Sequence, residues 1–196
     1  MSLKLGRILG IPVNIDVSWF VIFALIVYTL AVGYFPQVNR HLAPWMNWLG
    51  GVIAALLLFA SVLLHELMHS VVAKSNGIGI GGITLFIFGG VSRMTDEPQT
   101  PAAELRMAIA GPATSIVLGI IFYLAARFGG RAVFGVLGVE IVAYLGFINI
   151  ILGIFNMIPG FPLDGGRVFR AILWGATNNL EKATRYAAFS GQAFAW

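Results

Sequence analysis

Long apolar runs separated by short polar or glycine-rich segments dominate this chain. Val17 to Tyr34, Trp48 to about Ala73, Met107 to Ala126 and Ala132 to about Ile158 are each apolar and long enough to cross about 30 Å of hydrocarbon as a helix. Four spans are therefore expected. "ATRYAAFSGQAFAW" reads as the beginning of another, from about residue 183, that stops at Trp196. The expectation is a single transmembrane domain over residues 1–196, cut from a longer natural protein. One segment breaks the pattern. In "NGIGIGGITLFIFGGVSRM", residues 76–94, the glycines are too dense for a stable helix and the residues between them are largely β-branched, so short strands are predicted over 78–94. Unpaired strand edges cannot face lipid. The segment either re-enters the membrane against a protein-walled or watery cavity, or forms an interfacial hairpin. The expected fold class is an all-α polytopic membrane protein, a helical bundle with that short β segment between the second and third spans.

Composition supports the same solvent. Hydrophobic residues make up 59% of the chain and charged residues 10%, against about 25% charged in a soluble domain. Mean hydropathy is +0.89. The start, "MSLKLGRILGIPVNIDVSWF", has basic residues but no small-residue cleavage site after a short apolar core, so the first span is expected to stay. With no cysteine, disulfides, thiolate chemistry and Cys-based zinc sites are excluded. Any metal would need His and carboxylate ligands. The net charge of +4 is spread over loops without the aromatic interleaving of a nucleic-acid site. Placing the N-terminus inside puts Lys4, Arg7, Lys74, Arg93, Arg106, Arg167, Arg170, Lys182 and Arg185 on one side and Arg40, Arg127 and Arg131 on the other. That asymmetry predicts an integral membrane protein with a cytoplasmic N-terminus.

Within the second run, "LLHELMHSVVA" places three titratable groups where lipid is expected. From Trp48, an interfacial anchor, to His65 is 17 residues, about 25 Å of helix, so the cluster lies near the cytoplasmic boundary. His65 and His69 are four apart and share a helix face, close enough to bind one metal ion, whereas Glu66 is rotated to its side. That is the H-E-x-x-H geometry, in which two histidines hold zinc and the glutamate acts as general base. A purely structural histidine pair is the alternative. Ionisable groups inside a span are costly and functional by default, which favours the metal reading.

A catalytic zinc takes a third protein ligand. The candidates are His41, Asp16, Asp96, Glu97, Glu104, Glu140, Asp164 and Glu181: His41 is in the loop on the opposite side, Glu140 near the outer end of its span, and Asp96 and Glu97 in a solvated linker. Asp164 remains, in "NMIPGFPLDGGRVFR", where Pro159 and Pro162 break the helix and Gly165 and Gly166 permit a tight turn. The open alternative is that Asp164 caps the following helix.

"HELMH", "FGGVSRM", "AGPATS" and "NMIPGFPLDGGR", in this order and spacing, resemble the site-2 protease family of intramembrane zinc metalloproteases, over nearly the whole chain. The resemblance implies one Zn2+ ion held by His65, His69 and Asp164, with Glu66 as catalytic acid/base. It further implies that Asn156 helps hold the substrate carbonyl or its oxyanion; the plainer reading of Asn156, as of Asn149, is a polar contact between helices. Ser115 in "AGPATS" stands near where many relatives carry an asparagine. Relatives with this short architecture often carry cytoplasmic nucleotide-sensing domains of the cystathionine-β-synthase type.

The function implied is zinc metalloendopeptidase activity on peptide bonds within or near transmembrane segments of single-span membrane proteins, in the lipid bilayer and without nucleic acid. The oligomeric state, a homo-oligomer included, is not legible. Because a helical substrate hides its carbonyls, an exposed edge of "ITLFIFGGV", residues 83–91, is expected to pair with the unwound substrate. The competing readings are a membrane metal transporter, against which no internal repeat is found, a non-catalytic zinc-binding scaffold, and a membrane zinc protease acting on prenylated peptides, against which the LDGG element argues.

Overall fold

Two short strands open the chain, where the sequence suggests only the approach to the first span. A computed structural model describes residues 2–195, with side chains as far as 193. β1 (Ser2–Ile8) and β2 (Ile11–Asp16) pair antiparallel. The residues between them, Leu9 and Gly10, have φ of 51° and 76°, the two positive angles of a tight hairpin turn. The expected helical bundle with one β segment therefore holds two further strands, at its N-terminal end. Ile11, Val13 and Ile15 are buried and the residues between them are not, a period of two in a stretch too short to compete with the apolar run after it.

The glycine-dense segment supplies β3 (Ile80–Phe86) and β4 (Gly89–Met94), and the four strands form one sheet in the order β1-β2-β3-β4. β2 and β3 are parallel, with Val13 opposite Ile83 and Ile15 opposite Leu85. β3 is therefore paired on both sides. Of the expected pairing segment 83–91, residues 83–86 have no free edge, and β4 is the open edge on that side of the sheet.

Five helices carry the rest of the described residues. α1 (Ser18–Val38) winds as a π-helix over Thr29–Tyr34. α2 (Pro44–Ser75) and α3 (Pro101–Asn156) follow, then α4 (Asp164–Thr177) and α5 (Leu180–Ala195). α1, α2 and α3 are long and apolar enough to cross a membrane. α3 is a hairpin: Gly130 and Gly135 leave helical geometry with φ of 55° and 67°. Its two arms, which carry the third and fourth apolar runs, pack so closely that a Cβ on Gly119 would lie 2.9 Å from Ile150 N and one on Gly146 2.9 Å from Tyr123 N. Small residues at a helix crossing permit that approach. α5 covers the region where a further span is expected to begin; Trp196 lies outside the described residues.

The core forms along α2. Leu30 and Phe35 of α1, Ala54 and Leu58 of α2, and Ile141 and Leu145 of the second arm of α3 make one cluster. The sheet lies against the other side, through Ile11, Leu67 and Ile83 and through Ile15, Trp19, Phe59 and Leu85. Asp16 accepts from the Ser18 amide at 3.0 Å and the Ser18 hydroxyl at 2.7 Å, where β2 turns into α1. The Ile87 amide donates to the same hydroxyl at 3.2 Å, so the β3–β4 turn is tied to the start of α1.

Candidate metal centre

α2 brings His65 and His69 to one buried face, one turn apart. α3 fixes how each ring points. The Nδ1–H of His69 donates to the Met107 carbonyl at 2.7 Å, which leaves its Nε2 as a lone-pair donor. Nδ1 of His65 lies 2.9 Å from Ser115 Oγ, and with its proton directed there its Nε2 is free as well. Gly111, in the "AGPATS" element of α3, makes room for both rings: a Cβ there would fall 2.2 Å from His69 Nε2 and 2.6 Å from His65 Nε2.

Asp164 arrives from the other end of the chain as the first residue of α4. Its side chain does not cap that helix, whose N-cap is Leu163 without a side-chain bond, so the capping alternative is set aside. Gly165 and Gly166 let the turn close on the backbone of Met157–Phe161. A Cβ on Gly165 would lie 2.4 Å from Met157 O and one on Gly166 2.6 Å from Phe161 N. The result is a compact triangle. Asp164 Oδ2 is 3.1 Å from the Nε2 of His65 and 3.1 Å from that of His69, and the two Nε2 atoms are 3.2 Å apart. Asp164 stands in the first turn of α4, where the helix dipole favours its ionised form.

The triangle suits a zinc ion. Tetrahedral ligands at about 2.0 Å from zinc stand ~3.3 Å from one another, close to the edges observed, and two imidazole nitrogens with one carboxylate oxygen are an ordinary zinc donor set. These three residues are the group of potential metal ligands among the described residues.

An open cleft of about 360 Å³ leads to the triangle, and Glu66, His69, Asn156, Asp164 and Arg167 line it together with β4. Glu66 lies beside the triangle and against β4, where a Cβ on Gly90 would come 2.5 Å from its Cγ. The second glycine of "FGGV" thus accommodates the glutamate. Asn156, half-buried, lines the same cleft and donates to Leu152 O at 2.9 Å. Asn149 is elsewhere, donating to Ser61 Oγ at 3.3 Å between α3 and α2. Arg167 has one hydrogen bond among the described contacts, a 3.5 Å approach to Met94 Sδ on β4. No local pattern assigns a site role to Arg167, Gly111 or the Met107 carbonyl, or a partner to Glu104. Glu104, fully buried at the start of α3, accepts from Arg170 Nε of α4 at 2.7 Å. The motif strings contain the first two; a backbone carbonyl and a distant ion pair leave no local signal.

The profile of Peptidase family M50 matches residues 53–137 and 126–196. A Synechocystis sp. protein named as a zinc metalloprotease is 43% identical over 199 residues, 100% of this chain and 50% of its own length. The zinc metalloprotease MJ0392 of Methanocaldococcus jannaschii is 36% identical over 194 residues, 99% of this chain and 52% of its own. The chain spans about half the length of these relatives. The solved structure of the site-2 protease from Methanocaldococcus jannaschii superposes with a TM-score of 0.67 and 34% identity, covering 100% of this chain and 82% of that one.

Proposed function

This chain belongs to Peptidase family M50, the site-2 proteases, and from that premise we propose that it is a zinc metalloendopeptidase cutting peptide bonds within or beside transmembrane segments of single-span membrane proteins. The observation that carries the reading is the triangle of His65 Nε2, His69 Nε2 and Asp164 Oδ2 at 3.1 to 3.2 Å, with Glu66 in the same cleft. Those three residues would hold one Zn2+ ion, which when bound supplies a Lewis acid for water and the scissile carbonyl.

The chain's own groups do the rest. Glu66 takes a proton from the attacking water and returns it to the leaving amine. Asn156, facing the cleft, orients the carbonyl oxygen and stabilises the charge that develops on it. Ser115 and the Met107 carbonyl keep both imidazoles aimed at the ion. The substrate, unwound near the cut, pairs with the open edge of β4, which lines the cleft; backbone pairing tolerates many sequences. The sheet lies along Phe59 to Leu67 of α2, which supports a placement of the β3–β4 hairpin at membrane depth against protein. The excess of basic residues at one side of the chain supports a cytoplasmic N-terminus and a site near the cytoplasmic face of a prokaryotic membrane.

The test is Glu66→Gln in purified protein reconstituted with a panel of single-span substrates. Zinc should remain bound at one equivalent while mass spectrometry finds no products. A transporter or a zinc scaffold would keep its activity in that variant, and undiminished cleavage would remove Glu66 from the chemistry.

A further inference from the structure

Two helices meet β4 at different points along its length. Alternate residues of a strand share a face, and Gly90, Ser92 and Met94 of β4 turn theirs to the helices. Gly90 lies against the side chain of Glu66, and Ser92 Oγ is 2.8 Å from Ser70 Oγ. Met94 packs against the cluster of Ala73, Ile78 and Met107, and its Sδ receives Arg167 Nη2 at 3.5 Å. The partners on α2 advance in step, from Glu66 to Ser70 to Ala73. Arg167 of α4 therefore stands at the opposite end of β4 from Glu66. Gly90 to Met94 spans about 13 Å of strand, and the two side chains reach across part of it. A bond held at Glu66 is then separated from the guanidinium by about two or three residues of extended substrate.

Arg167 is a cation without a counter-ion. Among the described residues that line the cleft, it is the one with a permanent positive charge. Its guanidinium carries several N–H donors, and a thioether is a weak acceptor for one of them. Among the described residues no carboxylate is in ion-pair contact with it: Glu104 is taken by Arg170, and Asp164 faces the two imidazoles. Water in the open cleft can serve those donors, but a substrate strand laid along β4 displaces it. A charge stripped of water and left without a partner is costly. A carboxylate from the substrate removes that cost best, because it neutralises the guanidinium and can accept two of its N–H groups at once; a main-chain carbonyl does neither, and a lysine adds repulsion.

We propose that Arg167 is a specificity-determining residue, receiving an aspartate or glutamate side chain of the substrate about two or three residues from the cut bond. The proposal rests on the proteolytic reading for the cut and on the open edge of β4 for the register.

Synthetic single-span peptides, each an apolar run interrupted by Gly-Gly to unwind it, carry Asp, Asn or Lys at successive positions on either side of the interruption. Cleavage is followed as kcat/KM with the cut mapped by mass spectrometry, and binding of the same peptides is measured to the Glu66→Gln protein. At one position near the cut, Asp should exceed Asn about tenfold in both readouts, with Lys below Asn. Arg167→Gln should flatten that series, Arg167→Lys should keep it in weaker form, and Arg167→Glu should invert it in favour of Lys. A series unchanged in Arg167→Gln would overturn the proposal and leave the protease standing, as would equal losses for Asp, Asn and Lys peptides, the mark of a group that holds backbone or balances the charge of the site. A preference in binding that Arg167→Gln abolishes, with no cleavage by the parent protein, would keep the subsite and overturn the protease. Peptides neither bound nor cut would overturn both.

Discussion

Ser115 Oγ lies 2.9 Å from the Nδ1 of His65, so a hydroxyl on α3 sets the orientation of an imidazole that α2 carries. Replacing Ser115 by Ala removes that partner without touching a ligand atom. Outer partners of this kind change metal affinity by about 10- to 100-fold, and zinc titration against a competing chelator should show a loss in that range. Unchanged affinity would mean that packing alone orients His65.

Gly111→Ala should be more severe. Its Cβ would lie 2.2 Å from His69 Nε2 and 2.6 Å from His65 Nε2, and neither ring can yield without leaving its Nδ1 partner. Zinc content by atomic emission should fall far below one equivalent while the variant still inserts and folds by circular dichroism. A full equivalent of zinc would show that α3 can shift instead.

The pair Glu104–Arg170 joins the start of α3 to α4, the helix that begins with Asp164. Glu104 is fully buried, and removing one partner of a buried pair costs about 3–5 kcal/mol because the other charge is left unpaired. Glu104→Ala should lose stability on that scale in denaturant titration. Glu104→Met combined with Arg170→Met should recover much of it, and a double variant as unstable as the single one would contradict the account.

If β4 offers its free edge to the substrate, proline at alternate positions along Gly90 to Arg93 should separate into two classes. At positions whose N–H points away from β3, cleavage should fall at least tenfold with zinc retained; at the others the sheet itself should weaken. Cleavage unaffected at every position would refute the pairing.

Asp16 accepts from both the hydroxyl and the amide of Ser18, which hold its carboxyl below the ordinary value. A depressed carboxyl stabilises the fold above its unfolded value and loses that contribution as pH falls through its folded value. The Tm difference between the protein and Asp16→Asn should therefore be present at neutral pH and shrink on acidification. A difference independent of pH would mean that the charge plays no part.

Legibility in the sequence followed the range of the interaction. The apolar runs could be read directly, because a helix in lipid satisfies its own backbone and needs only length and hydropathy. The H-E-x-x-H cluster could be read for the same reason: His65 and His69 are brought together by one turn of a single helix. Strands β1 and β2 could not. A six-residue alternation such as Ile11, Val13 and Ile15 has meaning only beside the partners that bury it, and those partners, Leu67 and Ile83, lie far along the chain. Of the expected edge over 83–91 only the part in β4 is open, because edge or interior position is a property of strand order, not of any one strand.

Composition and local pattern are enough to give the solvent, the apolar helices, the donor types available to a metal and the pair of histidines that one helix holds. Tertiary structure decided the rest: that Asp164 turns to the histidines and not to its own helix end, that Ser115 and Met107 aim the two rings, that Glu66 fits against Gly90, and that β4 lines the cleft. Each of these depends on the approach of segments tens of residues apart. Such approaches are set by close packing at Gly111, against the two imidazoles, and at Gly165 and Gly166, against backbone, which no local periodicity encodes.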